Sequence, residues 1–146
     1  MAEYSYPLVQ TIAEDENIIF LDGDRCCKKG YITHRSGSGV FRLKGATNGC
    51  KAVYRVTFNA NIAVAPAADG GVLGAISVAL QEDGETLQNA VATVVPAAIG
   101  DAFNVSLTTF IIIPCGCCVT VSVENISDSG SAIDVTNANI IFERVA

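Results

Sequence analysis

From residue 53 to 64 every second side chain is apolar. Tyr54, Val56, Phe58, Ala60, Ile62 and Val64 fall on one face of an extended chain, and Arg55, Thr57, Asn59 and Asn61 fall on the other. A strand with one greasy and one polar face belongs to an antiparallel sheet, because parallel sheets bury both faces and read as continuous apolar runs. The same rhythm returns along the chain. Ile76, Val78 and Leu80 alternate with Ser77 and Ala79 ahead of Glu82-Asp83-Gly84-Glu85, where Asp-Gly supplies the positive-φ residues of a tight hairpin. Val119, Val121 and Val123 alternate with Thr120, Ser122 and Glu124. A polar turn over residues 125–131 follows, then Ile133 with Val135, and the chain closes on Ile140, Ile141 and Phe142.

Residues 17–21 and 31–43 also read as strands, the second interrupted by a turn or bulge at Ser36-Gly37-Ser38-Gly39. Over residues 84–100 a short helical turn competes with extended structure, and Thr93, Val94 and Val95 followed by Pro96 favour the strand. The count is roughly eight to ten short strands separated by turn signals, the pattern of an antiparallel β-sandwich or barrel. With 146 residues, no second composition regime and no repeat, the expectation is one all-β domain over residues 1–146, with residues 1–12 as an N-terminal arm.

Half of the chain is hydrophobic and only 16% is charged. Few charges are left for the surface, so part of it is expected to be covered by copies of the same chain. The net charge of −6 comes from acids scattered at Glu14, Asp15, Glu16, Asp22, Asp24, Glu82, Asp83 and Glu85, which argues against a nucleic-acid partner. Arg25, Lys28 and Lys29 read as a solvated loop. The first seven residues show no basic region followed by an apolar run, so the expected place of synthesis is the cytoplasm without a secretory signal. No stretch approaches the ~18 apolar residues of a membrane span, and no membrane partner is expected.

The six cysteines are the main anomaly: Cys26-Cys27, Cys50 and Cys115-Gly116-Cys117-Cys118. All six are disulfide candidates in an oxidising setting, a thiolate metal site is a second reading, and buried Cys acting as a small hydrophobe is a third. Neighbouring strand residues point to opposite faces, so Cys117 and Cys118 cannot share a partner unless the turn bulges. His34 is the single histidine, with no signature linking it to Asp22 or Cys26 as a catalytic set. Glu82 and Glu85 flank a hairpin and read as turn solvation rather than a hydrolytic pair. The glycines at 37, 39, 45, 49, 70, 71 and 74 form no phosphate-binding loop. Asn104-Val105-Ser106 and Asn125-Ile126-Ser127 match the glycosylation pattern without a secretory route, and the spacing of Asp128 and Asp134 does not support a calcium site. No catalytic residue and no cofactor are expected.

Residues 50–58, 79–84, 110–123 and 137–142 resemble, in that order, strands of the trimeric jelly roll of the tumour-necrosis-factor and complement-C1q type. These are its central strand with a Tyr, its strand and hairpin, its paired strands around a tight turn, and its last strand. Two departures are a lower aromatic content and Cys-Gly-Cys-Cys at the turn, so receptor signalling is not carried over. The resemblance implies a homotrimer that hides apolar sheet edges and faces. It also implies that the strand starting near Cys50 pairs with the one ending near Pro114, which sets Cys50 beside Cys115, Cys117 and Cys118, the four residues of the metal alternative. Tyr4-Ser5-Tyr6-Pro7-Leu8-Val9-Gln10 and the Gly-Ser-Gly stretch are similar to small prophage proteins of gut Firmicutes. The combined expectation is a non-enzymatic decoration protein of a phage virion, whose partners are itself and the major capsid protein or another virion protein. The rival is a disulfide-linked adhesive module of a bacterial or spore surface.

Overall fold

The computed structural model describes residues 2–25, 31–45 and 51–146. They form eleven strands: β1 (Ala2–Tyr6), β2 (Gln10–Ile12), β3 (Leu21–Arg25), β4 (Ile32–His34), β5 (Phe41–Lys44), β6 (Ala52–Val64), β7 (Ile76–Glu82), β8 (Glu85–Val94), β9 (Phe103–Ile113), β10 (Cys118–Asn125) and β11 (Ile133–Arg144). One sheet runs β3-β1-β11-β6-β9, with β2 also paired to β11, and the other runs β4-β5-β10-β7-β8. Each of these pairings is antiparallel. The architecture is the antiparallel sandwich that the alternation predicts, with the jelly-roll form that the resemblance implies.

The alternation also sets which atoms meet between the sheets. On β6 the apolar set from Tyr54 to Val64 is buried, and the facing strands supply Leu43, Ile76, Val78, Leu80, Val121 and Val123. Toward the β1 and β5 region the core is aromatic. Phe41 lies 4.9 Å from Tyr4, 4.8 Å from Phe142 and 5.4 Å from Phe20 between ring centroids. Such tilted pairs contribute about 0.5–1.5 kcal/mol each beyond their buried area. The hairpin between β7 and β8 turns on Asp83 (φ 51°) and Gly84 (φ 83°), both left-handed, as a two-residue turn between twisted strands requires.

At one end of the sandwich the polar turn after β10 is held by a buried amide. Asn125 Nδ2 donates to the carbonyls of Ile12 (3.1 Å) and Ser131 (2.9 Å), while its Oδ1 accepts from the Ser127 N–H (3.1 Å) and hydroxyl (2.6 Å). With both ends of the amide satisfied inside the fold, Asn125 has no nitrogen to offer a glycan.

Three expectations are corrected. Residues 1–12 are not an arm: β1 pairs with β11 and β3, and β2 with β11, because Ala2, Tyr4, Gln10 and Ile12 are buried against the sandwich. Residues 17–21 are not a strand: Asn17 and Phe20 make single bridges to Glu124 and Ser38, and the strand starts at Leu21. Finally, β9 and β10 flank the cysteine turn without pairing. The turn crosses between the sheets, so β9 bonds to β6 while β10 bonds to β5 and β7.

Candidate self-association face and cysteine turn

The strands at the edge of each sheet decide what the surface can do. On β9 the inward residues Val105, Leu107, Thr109, Ile111 and Ile113 are buried, which turns Phe110 and Ile112 outward at 60% and 56% exposure. Among the described residues β9 has a strand partner on its β6 side only, and β8 on its β7 side only. These two open edges lie side by side, joined by Asn89 Nδ2 donating to Thr109 Oγ1 at 3.4 Å. Val91, Val95, Ile99 and Phe103 add further exposed apolar atoms along this side. Within residues 84–113 the charges are Glu85 and Asp101, with no Lys or Arg. Long, apolar edges with few charges are what a chain leaves for another chain to cover.

The outer face of the same sheet continues the patch. Val53 lies opposite Ile112 and Arg55 opposite Phe110. Arg55 pairs with Glu143, and the two border a hollow of about 320 Å³ with Thr57, Thr108 and Ile141. An exposed pair like this contributes little to stability. Its cancelled charge leaves the face compatible with an apolar neighbour.

The second feature is the turn after β9. Cys117 N–H donates to the Pro114 carbonyl at 3.1 Å, and Gly116 (φ 72°) supplies the left-handed residue such a turn needs. Gly45 lies beneath it and donates to the Cys117 carbonyl at 2.8 Å. A Cβ on Gly45 would sit 2.6 Å from the Pro114 carbonyl oxygen, so only glycine allows this approach. Cys118 opposes Lys44 in the β10–β5 ladder, and Arg42, one pleat along, reaches its sulfur with Nη2 at 2.9 Å and Nε at 3.2 Å. Cys117 and Cys118 are exposed thiols outside any disulfide, and Cys115 is exposed beside them. Because Cys117 belongs to the turn and Cys118 to the strand, both line one hollow of about 230 Å³ with Arg42, Lys44, Gly45 and Gly116.

Cys26, Cys27 and Cys50 lie outside the described residues, and so does the expected neighbourhood of Cys50 with Cys115, Cys117 and Cys118. Among the described residues no group of three His, Cys, Asp or Glu side chains is placed to hold a metal ion. His34 is used for packing: its ring stacks on Phe41 at 4.3 Å and 15°, meets Tyr4 edge-on at 4.9 Å, and Nε2 lies 2.8 Å from the Ser38 carbonyl oxygen. Glu82 and Glu85 oppose each other beside the hairpin, where Asp83 accepts from the Thr120 N–H at 2.9 Å. Partial burial, with Asp83 adding, raises the Glu82 carboxyl above its ordinary value. No helix among the described residues is long and apolar enough to cross a membrane.

The sequence reading found the cysteines but missed Arg42 and Lys44, which strand pairing alone brings to them. It also missed that Phe110 and Ile112 point outward. The alternation held that signal, since both share a register with Asn104, Ser106 and Thr108.

No family model matches the chain, and no curated protein does. Among solved structures it is similar to the globular domain of zebrafish complement 1qA protein, with a TM-score of 0.60 at 13% identity over 97% of this chain and 96% of that one. Pika GITRL is another similar structure, with a TM-score of 0.39 at 12% identity over 74% of this chain and 83% of that one. The complement domain shares the fold across nearly its whole length.

Proposed function

We propose that this chain is a non-enzymatic structural module that works as a homotrimer, with the open edge of β9 in one copy set against the outer face of the β3-β1-β11-β6-β9 sheet in the next. The observation that carries the reading is the outward Phe110 and Ile112 on an unpaired, uncharged edge. An edge meeting a face is a head-to-tail contact, which must close on itself as a ring to avoid growing into a filament. Three copies is the closure implied by the resemblance of the strand order to trimeric jelly rolls. Light scattering tests it directly. The expected mass is three times 15.2 kDa, and a monomer at micromolar concentration overturns the proposal.

The role we assign to the trimer is decoration of a phage virion, docked on the major capsid protein or another virion protein and adding contact area without chemistry. The reading rests on the resemblance we draw between residues 4–10 and small prophage proteins and on a chain of which only 16% is charged. Particles induced from the strain that encodes the chain should carry it through density-gradient purification. Its absence from purified particles removes the virion role and leaves the trimer standing. The second reading, a bacterial or spore-surface module linked by disulfides, is favoured by the exposed Cys117 and Cys118. It predicts antibody labelling of intact cells or spores and a ladder on non-reducing gels.

A further inference from the structure

We infer that the cysteine turn is an S-thiolation site: Cys118 accepts the thiol half of an anionic low-molecular-weight disulfide, with Arg42 and Lys44 as its recognition groups. Two observations converge on this assignment. The first is the fork of Arg42, whose Nη2 and Nε both point at the Cys118 sulfur at 2.9 and 3.2 Å. Both donors end on that one sulfur, so the guanidinium stands where an anionic group arriving at Cys118 would meet it. The second is the hollow of about 230 Å³ in front of that sulfur, whose charged lining groups are Arg42 and Lys44. A structural cysteine needs neither an open hollow nor two cations. A thiol that must meet a carboxylate-bearing disulfide needs both.

The geometry follows from the fold. Arg42 and Lys44 alternate outward on β5, Cys118 lies directly opposite Lys44, and the Pro114–Cys117 turn swings Cys117 onto the rim of the same hollow. Gly45 keeps the floor low enough for the turn to sit there. In the reaction the Cys118 proton is first lost to solvent. The thiolate then attacks one sulfur of the incoming disulfide along the S–S axis. A Cys118–sulfur bond forms, the original S–S bond breaks, and its electron pair leaves on the departing thiolate. Cys118 is thereby oxidised and the released sulfur reduced, so the disulfide is the only oxidant needed. The carboxylate of the bound half is held by Lys44 and by the guanidinium that the thiolate has relinquished.

The test uses the intact chain at fixed pH and two disulfide probes: the dianionic 5,5′-dithiobis(2-nitrobenzoate) and the neutral 4,4′-dithiodipyridine. Adducts are located by peptide mass spectrometry, so other cysteines do not confuse the count. The expected result is that the anionic probe labels Cys118 first. In Arg42→Gln the labelling rate of Cys118 with the anionic probe should drop by on the order of tenfold and fall less with the neutral probe. Arg42→Lys, which keeps the charge and loses the fork, should lie between. Cys118→Ser should leave the first equivalent of anionic probe unreacted on the fast timescale, while Cys117→Ser should keep it. Equal labelling of Cys117 and Cys118, or the same loss with both probes in Arg42→Gln, overturns the assignment. Circular dichroism of each variant identifies a rate change caused by misfolding.

Discussion

The two sides of the sandwich are built in opposite ways. On one side the sheets end in β3 and β4, only five and three residues long. Arg35 follows β4 directly. The chain also closes this side on itself. Gly37 N–H donates to the Phe20 carbonyl at 2.9 Å, Phe20 N–H donates to Ser38 at 3.2 Å, and Gly39 packs against residues 17 and 18. On the other side β8 and β9 run for ten and eleven residues with no basic side chain and no covering segment among the described residues. Short strands, charges and covering loops are the devices by which a monomeric sheet protects an edge. The β3–β4 side has short strands and a covering loop and the β8–β9 side has neither, which supports the proposal that the β9 edge is the one set against another copy.

The largest effect should come from placing charge on the open side. The double substitution Phe110→Asp, Ile112→Asp removes two anchors, each of about 2 kcal/mol if central to the contact, so association should weaken by on the order of 1,000-fold. Light scattering should show the mass falling to that of one chain. Both side chains point out of the fold, so the far-ultraviolet dichroism of a folded sandwich should survive. Val40→Asp, at an exposed position next to β5 on the protected side, is the matched control and should leave the mass unchanged. Equal dissociation by both variants would remove the distinction between the sides.

Next in size is damage to the protected side. A Cβ on Gly39 would stand 2.7 Å from both the Asn17 Cβ and the Ile18 carbonyl oxygen, and backbone cannot swing away as a flexible side chain does. Gly39→Val should therefore cost about 1–3 kcal/mol, read as a lower denaturant midpoint. The folded fraction should keep the wild-type mass, because the lesion lies across the sandwich from the proposed contact. A smaller effect is expected at Thr109, whose hydroxyl accepts a long bond from Asn89 between the two open edges. Thr109→Val should shift stability by no more than about 1 kcal/mol, since it removes a weak acceptor and leaves a methyl of the same shape.

How far the sequence revealed this division depends on the range of the interaction. Alternation is local, so the inward face of β6, the Asp83-Gly84 hairpin and the antiparallel sandwich were all legible from neighbouring residues. The complete jelly-roll order came from likeness to a known pattern. It was right for the β6–β9 pairing and wrong for pairing β9 with β10, because a tight turn looks the same whether it joins partners or crosses between sheets. The cysteine turn was conspicuous by composition. Its cations were not, because Arg42 and Cys118 are far apart in the chain and meet only through the β5–β10 register. The buried ends of β1 and β2 were missed for a similar reason: short segments carry too few residues to show a period, and their strand character comes from pairing with β11.

The smallest effect tests whether stability within a subunit can be separated from contact between subunits. Glu124 lies in β10, in the middle of its sheet, bridged to Asn17 and off the open β8–β9 side. Partial burial raises its carboxyl above the ordinary value of 4.5, a hydrogen bond with Gln81 opposes this, and Asp15 adds to the rise through its charge and its own hydrogen bond. A raised folded value means that the native state binds the proton more tightly than the unfolded chain does. The stabilisation from protonation is thus fully present below the unfolded value and is lost as pH rises through the folded one. Glu82, raised mainly by burial, acts with the same sign. As pH falls from neutrality toward 4.5, these two groups should raise the thermal midpoint slightly, and Glu124→Gln should flatten that rise while holding a marginally higher midpoint at neutral pH. Both carboxyls are largely solvent-screened, so the shift should be small. Because Glu124 lies off the open side, light scattering across the same pH series should give one mass for wild type and for Glu124→Gln. A mass that followed the Glu124 titration would mean that the contact between copies reaches β10, beyond the β9 edge and the outer face of the β3-β1-β11-β6-β9 sheet.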